Sequence, residues 1–166
     1  MIRVLPTLAW AHLELGDVAT AREAAVQAIP WERAEDYRLF LPEALRVRAM
    51  VAAREGRAAE AEGTLEEGLA LARHMRYPYA EARLLHVYGE LNLQTGAVGP
   101  ACKRLEAALA IFRRLGAWWD AAQVERTLAG LGAPGEPATA GPGADIDKAP
   151  AGSQRGDHAL DHGRYA

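Results

Sequence analysis

Cysteine and serine each occur once in the 166 residues, as Cys102 and Ser153. A single cysteine rules out an internal disulfide and any thiolate cluster for zinc or iron and sulfur. Nothing near Cys102 resembles a Cys and His catalytic pair, so it reads as an inert thiol. One serine without a flanking signature all but removes acyl transfer by a serine nucleophile, despite His12, His74 and His86. No stretch approaches the ~18 uninterrupted apolar residues of a membrane-spanning helix. The N-terminal segment up to Leu15 carries only Arg3 before a short apolar run that already contains Pro6, His12 and Glu14. That is not a secretory signal, and a cytoplasmic location is expected. No glycine-rich phosphate loop and no Walker-type lysine occurs. The formal charge is −3, and up to Leu131 the chain has 17 acidic and 16 basic residues, without the positive excess of a general nucleic-acid binder. The expectation is a protein with no catalytic residues, no cofactor, no metal and no direct contact with nucleic acid or membrane.

Alanine, by contrast, is abundant, with 36 residues. It has the best helix propensity and a small side chain, so helices rich in it can approach closely. A shift of the chain on itself that lays Gly16 on Gly56 also lays Gly56 on Gly96, and each glycine ends one apolar-periodic segment just before the next begins. In the same register, Leu5, Leu45 and Leu85 precede the glycines, followed by Ala9, Ala49 and Gly89. Behind the glycines recur Val18, Ala58 and Val98, then Ala21, Ala61 and Ala101, then Ala25, Leu65 and Leu105, then Ala28, Gly68 and Ala108. Spacings of three and four define one helix face.

A glycine between two such faces fits the position just past a helix end, where the backbone turns left-handed. The pattern predicts A helices over 3–15, 41–55 and 80–95, B helices over 17–30, 57–74 and 99–115, and a seventh helix over 118–131. Pro42, Pro78 and Pro100 fall at or near predicted starts, where a missing amide costs little. The fold class predicted is all-α, three helical hairpins and a seventh capping helix, over residues 1–131. Helix seven keeps Val124 and Leu128 in phase but places Glu125 where the leucines stand, giving it a more polar side.

After Leu131 the periodicity stops, and Gly and Pro become frequent while large apolar side chains almost vanish. Such a segment cannot bury enough surface to offset its ordering entropy, so 132–166 is expected to be disordered. His158 and His162 have the spacing of a helical metal pair beside Asp161, but no third ligand supports a site.

The small residue at 9, 49 and 89, the glycine at 16, 56 and 96, the alanine at 21, 61 and 101, and the small residue at 28, 68 and 108 resemble the tetratricopeptide-repeat (TPR) consensus. The resemblance covers residues 3–131. The period of 40, with the phrases Tyr88-Gly89-Glu90-Leu91 and Ala107 to Gly116, is similar to the MalT-like subgroup, found in C-terminal sensor regions of bacterial ATPase-type regulators. The chain departs from the consensus aromatic at His12, Ala52 and Asn92. The resemblance implies a right-handed α-α superhelix, a TPR-like solenoid, whose A helices line a concave groove.

Carried over by that resemblance, the groove positions are Arg3, Pro6, Trp10 and Glu14; Glu43, Arg46, Met50 and Arg54; Arg83, His86, Glu90 and Gln94; and Gln123 and Arg126. Arg46, His86 and Arg126 form a row, equally spaced along the chain, that would hold a carboxylate or phosphate. The competing reading makes them solvated side chains paired with Glu43, Glu90 and Glu125. Trp10 and Met50 are candidate apolar anchors, and Arg83 and Glu90 candidate polar contacts. The aromatics at the hairpin junctions, Trp31, Tyr37, Tyr77, Tyr79, Trp118 and Trp119, offer either docking anchors or staples between repeats, with Leu39, Tyr79 and Trp119 in one phase. The function expected is a non-catalytic interaction or sensor module for a peptide, another protein or an anionic small molecule. The alternative is a detached C-terminal sensor of a larger signalling ATPase, nucleotide cyclase or transcriptional activator, suggested by Met1 beginning almost inside a repeat. Self-association through Leu8, Ala11 and Leu15 of the first hairpin is a further expectation.

Overall fold

The turns set the architecture. In the computed structural model, which describes residues 5–32 and 39–132, Gly16, Gly56 and Gly96 take left-handed φ of 81°, 75° and 80°. At the first of these the Gly16 amide donates to the Leu13 carbonyl at 3.1 Å and the Asp17 amide to the His12 carbonyl at 2.9 Å. This pair of bonds satisfies two carbonyls that a helix end leaves open and reverses the chain. The same pair recurs at Gly56 and Arg57, Arg76 and Tyr77, Gly96 and Ala97, and Gly116 and Ala117. The turns at Gly56, Arg76, Gly96 and Gly116 are thus evenly spaced, at half the period read from the sequence. The turn between hairpins uses the same device as the turn within one. It escapes a search for glycine because Arg76 occupies one such position, with φ 52°.

Between the turns lie α1 (Leu5–Glu14), α2 (Val18–Glu32), α3 (Leu41–Arg54), α4 (Ala58–His74), α5 (Pro78–Gln94), α6 (Val98–Leu115) and α7 (Trp118–Gly132). The described residues hold seven helices and no strand, in agreement with the all-α expectation and close to the predicted ranges. Residues 133–166, with the tail expected to be disordered and with His158, Asp161 and His162, lie outside the described residues, as do Arg3, Tyr37 and the side chain of Trp31.

Each helix packs against the next, and α1 with α3 and α3 with α5 also pack directly. The odd helices α3 and α5 are accordingly buried on more than one side: α5 alone hides Ala82, Leu84, Leu85, Val87, Tyr88 and Leu91. On α6 the buried residues are Ala101, Leu105, Ala108, Leu109 and Phe112, a single stripe at spacings of three and four. The main core runs through α3 to α7 around Leu65, Leu84, Leu105, Phe112 and Val124. In the first hairpin the buried side chains are mostly alanine, with Leu13 the large one.

Small residues sit where helices cross. A Cβ built on Gly89 would lie 2.7 Å from Leu105 Cγ and 3.4 Å from the Ala101 carbonyl, and one on Gly68 would lie 2.8 Å from Leu84 Cδ2. Ala21, Ala61 and Ala101 are fully buried. The staple between repeats holds for Tyr79, whose ring meets Phe112 edge-on at 6.0 Å. It fails for Leu39 and Trp119, which are 60% and 70% exposed. Sharing a repeat phase does not guarantee a neighbour to pack on. Among the described residues no helix is long and apolar enough to cross a membrane.

Candidate functional site

The A-helix positions singled out in the sequence meet as a chain of polar contacts rather than as an open basic wall. Leu41 and Pro42 begin α3, which places Glu43 in its first turn, where the helix dipole favours an anion. One turn later Arg46 points back. Its Nε donates to Glu43 Oε2 at 3.0 Å and its Nη2 to Glu43 Oε1 at 2.7 Å, a forked pair. Its Nη1 faces the Met50 sulfur at 2.9 Å. Arg46 is only 4% exposed, so this guanidinium belongs to the core as much as to the surface.

Glu43 also receives Arg83 of α5, with Nη1 3.2 Å from Oε2. The Arg83 guanidinium stands 5.9 Å from the centre of the Tyr79 ring. Tyr79 in turn donates its hydroxyl to Asp120 Oδ2 of α7 at 3.2 Å. A continuous line from Met50 through Arg46, Glu43, Arg83 and Tyr79 to Asp120 thus ties α3, α5 and α7 together. Burial pushes the Glu43 carboxyl upward, but the Arg46 hydrogen bonds and the charges of Arg46 and Arg83 outweigh it and hold the group below its ordinary 4.5. Burial and the Asp120 carboxylate raise the Tyr79 phenol above its ordinary value against the pull of Arg83.

In the row Arg46, His86 and Arg126 the two arginines are therefore hydrogen-bonded locally. His86 Nε2 lies buried 3.3 Å from Glu90 Oε1 without hydrogen-bond geometry. Arg126 donates from Nη2 to Gln123 Oε1 at 3.0 Å and from Nε to the Ala122 carbonyl at 3.3 Å. Glu125 pairs with Arg113 of α6. Of the candidate groove residues, Arg46 is buried, and Met50, Arg83 and His86 are half-buried. Trp10 is 38% exposed, the Glu90 side chain 46%, and Arg126 is exposed. On the first hairpin Leu8 and Leu15 are exposed at 42% and 82%, and Ala11 is half-buried.

The pair Glu43 and Arg83 was not anticipated as a bridge, although the signal was present. The two residues occupy the same phase of neighbouring hairpins, with opposite charge. Asn92 of α5 accepts a bond from Arg104 Nη1 of α6 at 2.6 Å. Arg104 also covers the Tyr88 ring at 3.7 Å, which locks α6 onto α5. Cys102 is half-buried and free. Among the described residues no three His, Cys, Asp or Glu side chains gather as a metal site would require. Compared with known proteins, the chain matches no family model, no curated protein and no solved structure at a significant level.

Proposed function

We propose that this chain is a non-catalytic interaction module of the TPR-like kind, a right-handed α-α superhelix whose odd-numbered helices line a concave groove for a protein or peptide partner. The observation that carries the reading is the direct packing of α1 on α3 and of α3 on α5, with no comparable approach among α2, α4 and α6. In a stacked helical array the layer whose members lie closer together is the inner side of the curve.

The chemistry of that layer favours a peptide over a small anion. Arg46 already gives its forked donors to Glu43, so the groove lacks the free guanidinium cluster that an anion would need. What it offers outward is mixed: the Trp10 indole, the Glu90 carboxylate and Arg126. An extended segment with one apolar side chain and charges of both signs complements such a surface, because aromatic anchors supply much of the energy at interfaces. A second reading, the sensor region of a larger bacterial signalling ATPase, cyclase or activator, draws on Trp118 and Trp119 of α7, 71% and 70% exposed and open to a further domain.

The test is a comparative pull-down from native lysate. One bait carries Trp10→Ala and Glu90→Arg in the groove; a second carries Glu106→Arg on the exposed side of α6. Arg46 is left intact, because a glutamate there would face Glu43 inside the core. A partner kept by the wild type and the α6 variant but lost by the groove variant, at equal helicity, supports the groove. Equal capture by all three baits refutes it.

A further inference from the structure

We propose that a second site, outside the groove, binds a phosphate monoester in a cleft between the α4–α5 turn and the end of α6. The cleft has a volume of about 310 Å³ and is lined by Arg73, Arg76, Tyr77, Pro78, Glu81 and Arg114. Three guanidinium groups and one carboxylate leave two positive charges there, on a chain whose formal charge is −3. Glu81 accepts from Arg73 Nε at 2.7 Å, which fixes that side chain at the rim.

Two observations set this cluster apart. Among the described residues most arginines are engaged: Arg22, Arg46, Arg48, Arg57, Arg83 and Arg113 all pair with carboxylates. The side chains of Arg76 and Arg114 have no such partner among the described residues, nor do those of Arg54, Arg104 and Arg126, but Arg76 and Arg114 alone of these line one cleft. Arginines at helix ends commonly offset the dipole, and that accounts for Arg73 and Arg114 in the last turns of α4 and α6. The dipole favours a charge at Arg76 too, just past the C-cap Met75, but Arg76 is set apart by its backbone.

Arg76 is also the residue that holds a left-handed φ, 52°, at a turn whose counterparts are Gly16, Gly56, Gly96 and Gly116. A side chain there strains the backbone where glycine would not, and residues held in such conformations cluster at functional sites. The first turn of α5 adds its dipole, since its N-cap Tyr77 makes no side-chain cap bond.

The net charge of the lining matches a phosphate monoester, which carries roughly −1.5 to −2 near neutrality. Its terminal oxygens can be shared between separate guanidinium groups. Tyr77 and Pro78 supply an apolar wall for the ester group. The volume is at the small end of organic-ligand sites, about 300–1,000 Å³, which suits a short ester better than a nucleotide. The inference is independent of the groove reading and survives if that reading fails.

Calorimetric titration of the full chain decides the matter, with phenyl phosphate, inorganic phosphate, benzoate and a phosphoserine peptide as probes. Phenyl phosphate should bind more tightly than benzoate, and Arg76→Gly and Arg114→Ala should each weaken it by roughly tenfold or more. Lys103→Ala, which removes an exposed cation outside the cleft lining, should leave binding unchanged. Arg76→Gly should at the same time raise the melting temperature, which separates lost binding from lost folding. Tighter binding of the phosphoserine peptide than of phenyl phosphate would support the site and assign its phosphate to a protein side chain. Three results would overturn the proposal: no heat with either phosphate at millimolar concentration, variants that bind as the wild type does, or an equal loss in Lys103→Ala.

Discussion

Removing the Glu43 carboxylate tests whether the polar line through α3, α5 and α7 is structural. Arg46 is 4% exposed and donates two hydrogen bonds to Glu43, at 3.0 and 2.7 Å. Arginine stays protonated in proteins, so Glu43→Ala leaves a buried cation facing only the Met50 sulfur, a weak acceptor. Breaking such a pair from one side costs about 3–5 kcal/mol. The Glu43 side chain is itself 31% exposed, which lets water reach part of the vacated space and places the expected loss near the lower end, about 3 kcal/mol. For a unit of this size that is a fall of roughly 10 °C in melting temperature. The double variant Glu43→Ala with Arg46→Met should recover most of it, since an apolar pair needs no partner. The control is Glu125→Ala, which breaks the exposed pair with Arg113 and should cost about 0–1 kcal/mol. Thermal unfolding by circular dichroism reads all three, and a Glu43→Ala loss no larger than the control would refute the reasoning. The pH dependence has the same origin. The folded carboxyl titrates below its ordinary 4.5, so its contribution is complete above that value and is lost as the pH falls through the lower folded one. The double variant should accordingly lose less stability than the wild type on acidification below about pH 4.5.

Two glycines inside helices should respond to the same substitution with opposite sign. Gly63 of α4 has nothing within 4 Å of a built Cβ, so Gly63→Ala should add about 0.5–1 kcal/mol, whereas Gly89→Ala gains the same propensity but meets Leu105 at 2.7 Å and should lose more, about 1–3 kcal/mol. Urea midpoints that rise in both variants would show that Leu105 yields freely. Native-state hydrogen exchange should release the α1 and α2 amides before those of α4 to α6, because the first hairpin buries mostly alanines beside Leu13 while the later core holds Leu65, Leu84, Leu105 and Phe112. Uniform protection across all seven helices would contradict that ordering.

Much of the helical layout is legible in the chain because alanine and leucine recur at a fixed phase and glycine marks four of the described turns. Gly16, Gly56 and Gly96 are readable as left-handed positions from residue type alone. Arg76 is not, since its conformation is imposed by the two helices it joins against its own preference. The polar residues divide in the same way. That Arg46 lies on an A helix follows from the repeat, but its burial depends on how α5 leans on α3, and its exposure cannot be read from a period. The unequal fates of Tyr79 and Trp119 have the same origin. Both occupy one phase, yet Tyr79 has Phe112 and Asp120 within reach while the Trp119 side chain stays exposed.

The even beat of the turns at Gly56, Arg76, Gly96 and Gly116 gives the chain a rule of parity. Excision of 57–76, from one turn to the next, would leave every remaining reversal intact and every helix in phase with its own turn. It would also move each later helix from an odd to an even place in the order, or the reverse. Helix α5, apolar on more than one side, would then stand where α4 presents a narrower face, and part of Ala82, Leu84, Val87 and Leu91 would meet water. Excision of 57–96, a span of two helices, sets α6 in the place of α4 and keeps odd helices in odd places and even helices in even ones. Length variation in this chain should thus be tolerated in pairs of helices and resisted in single ones.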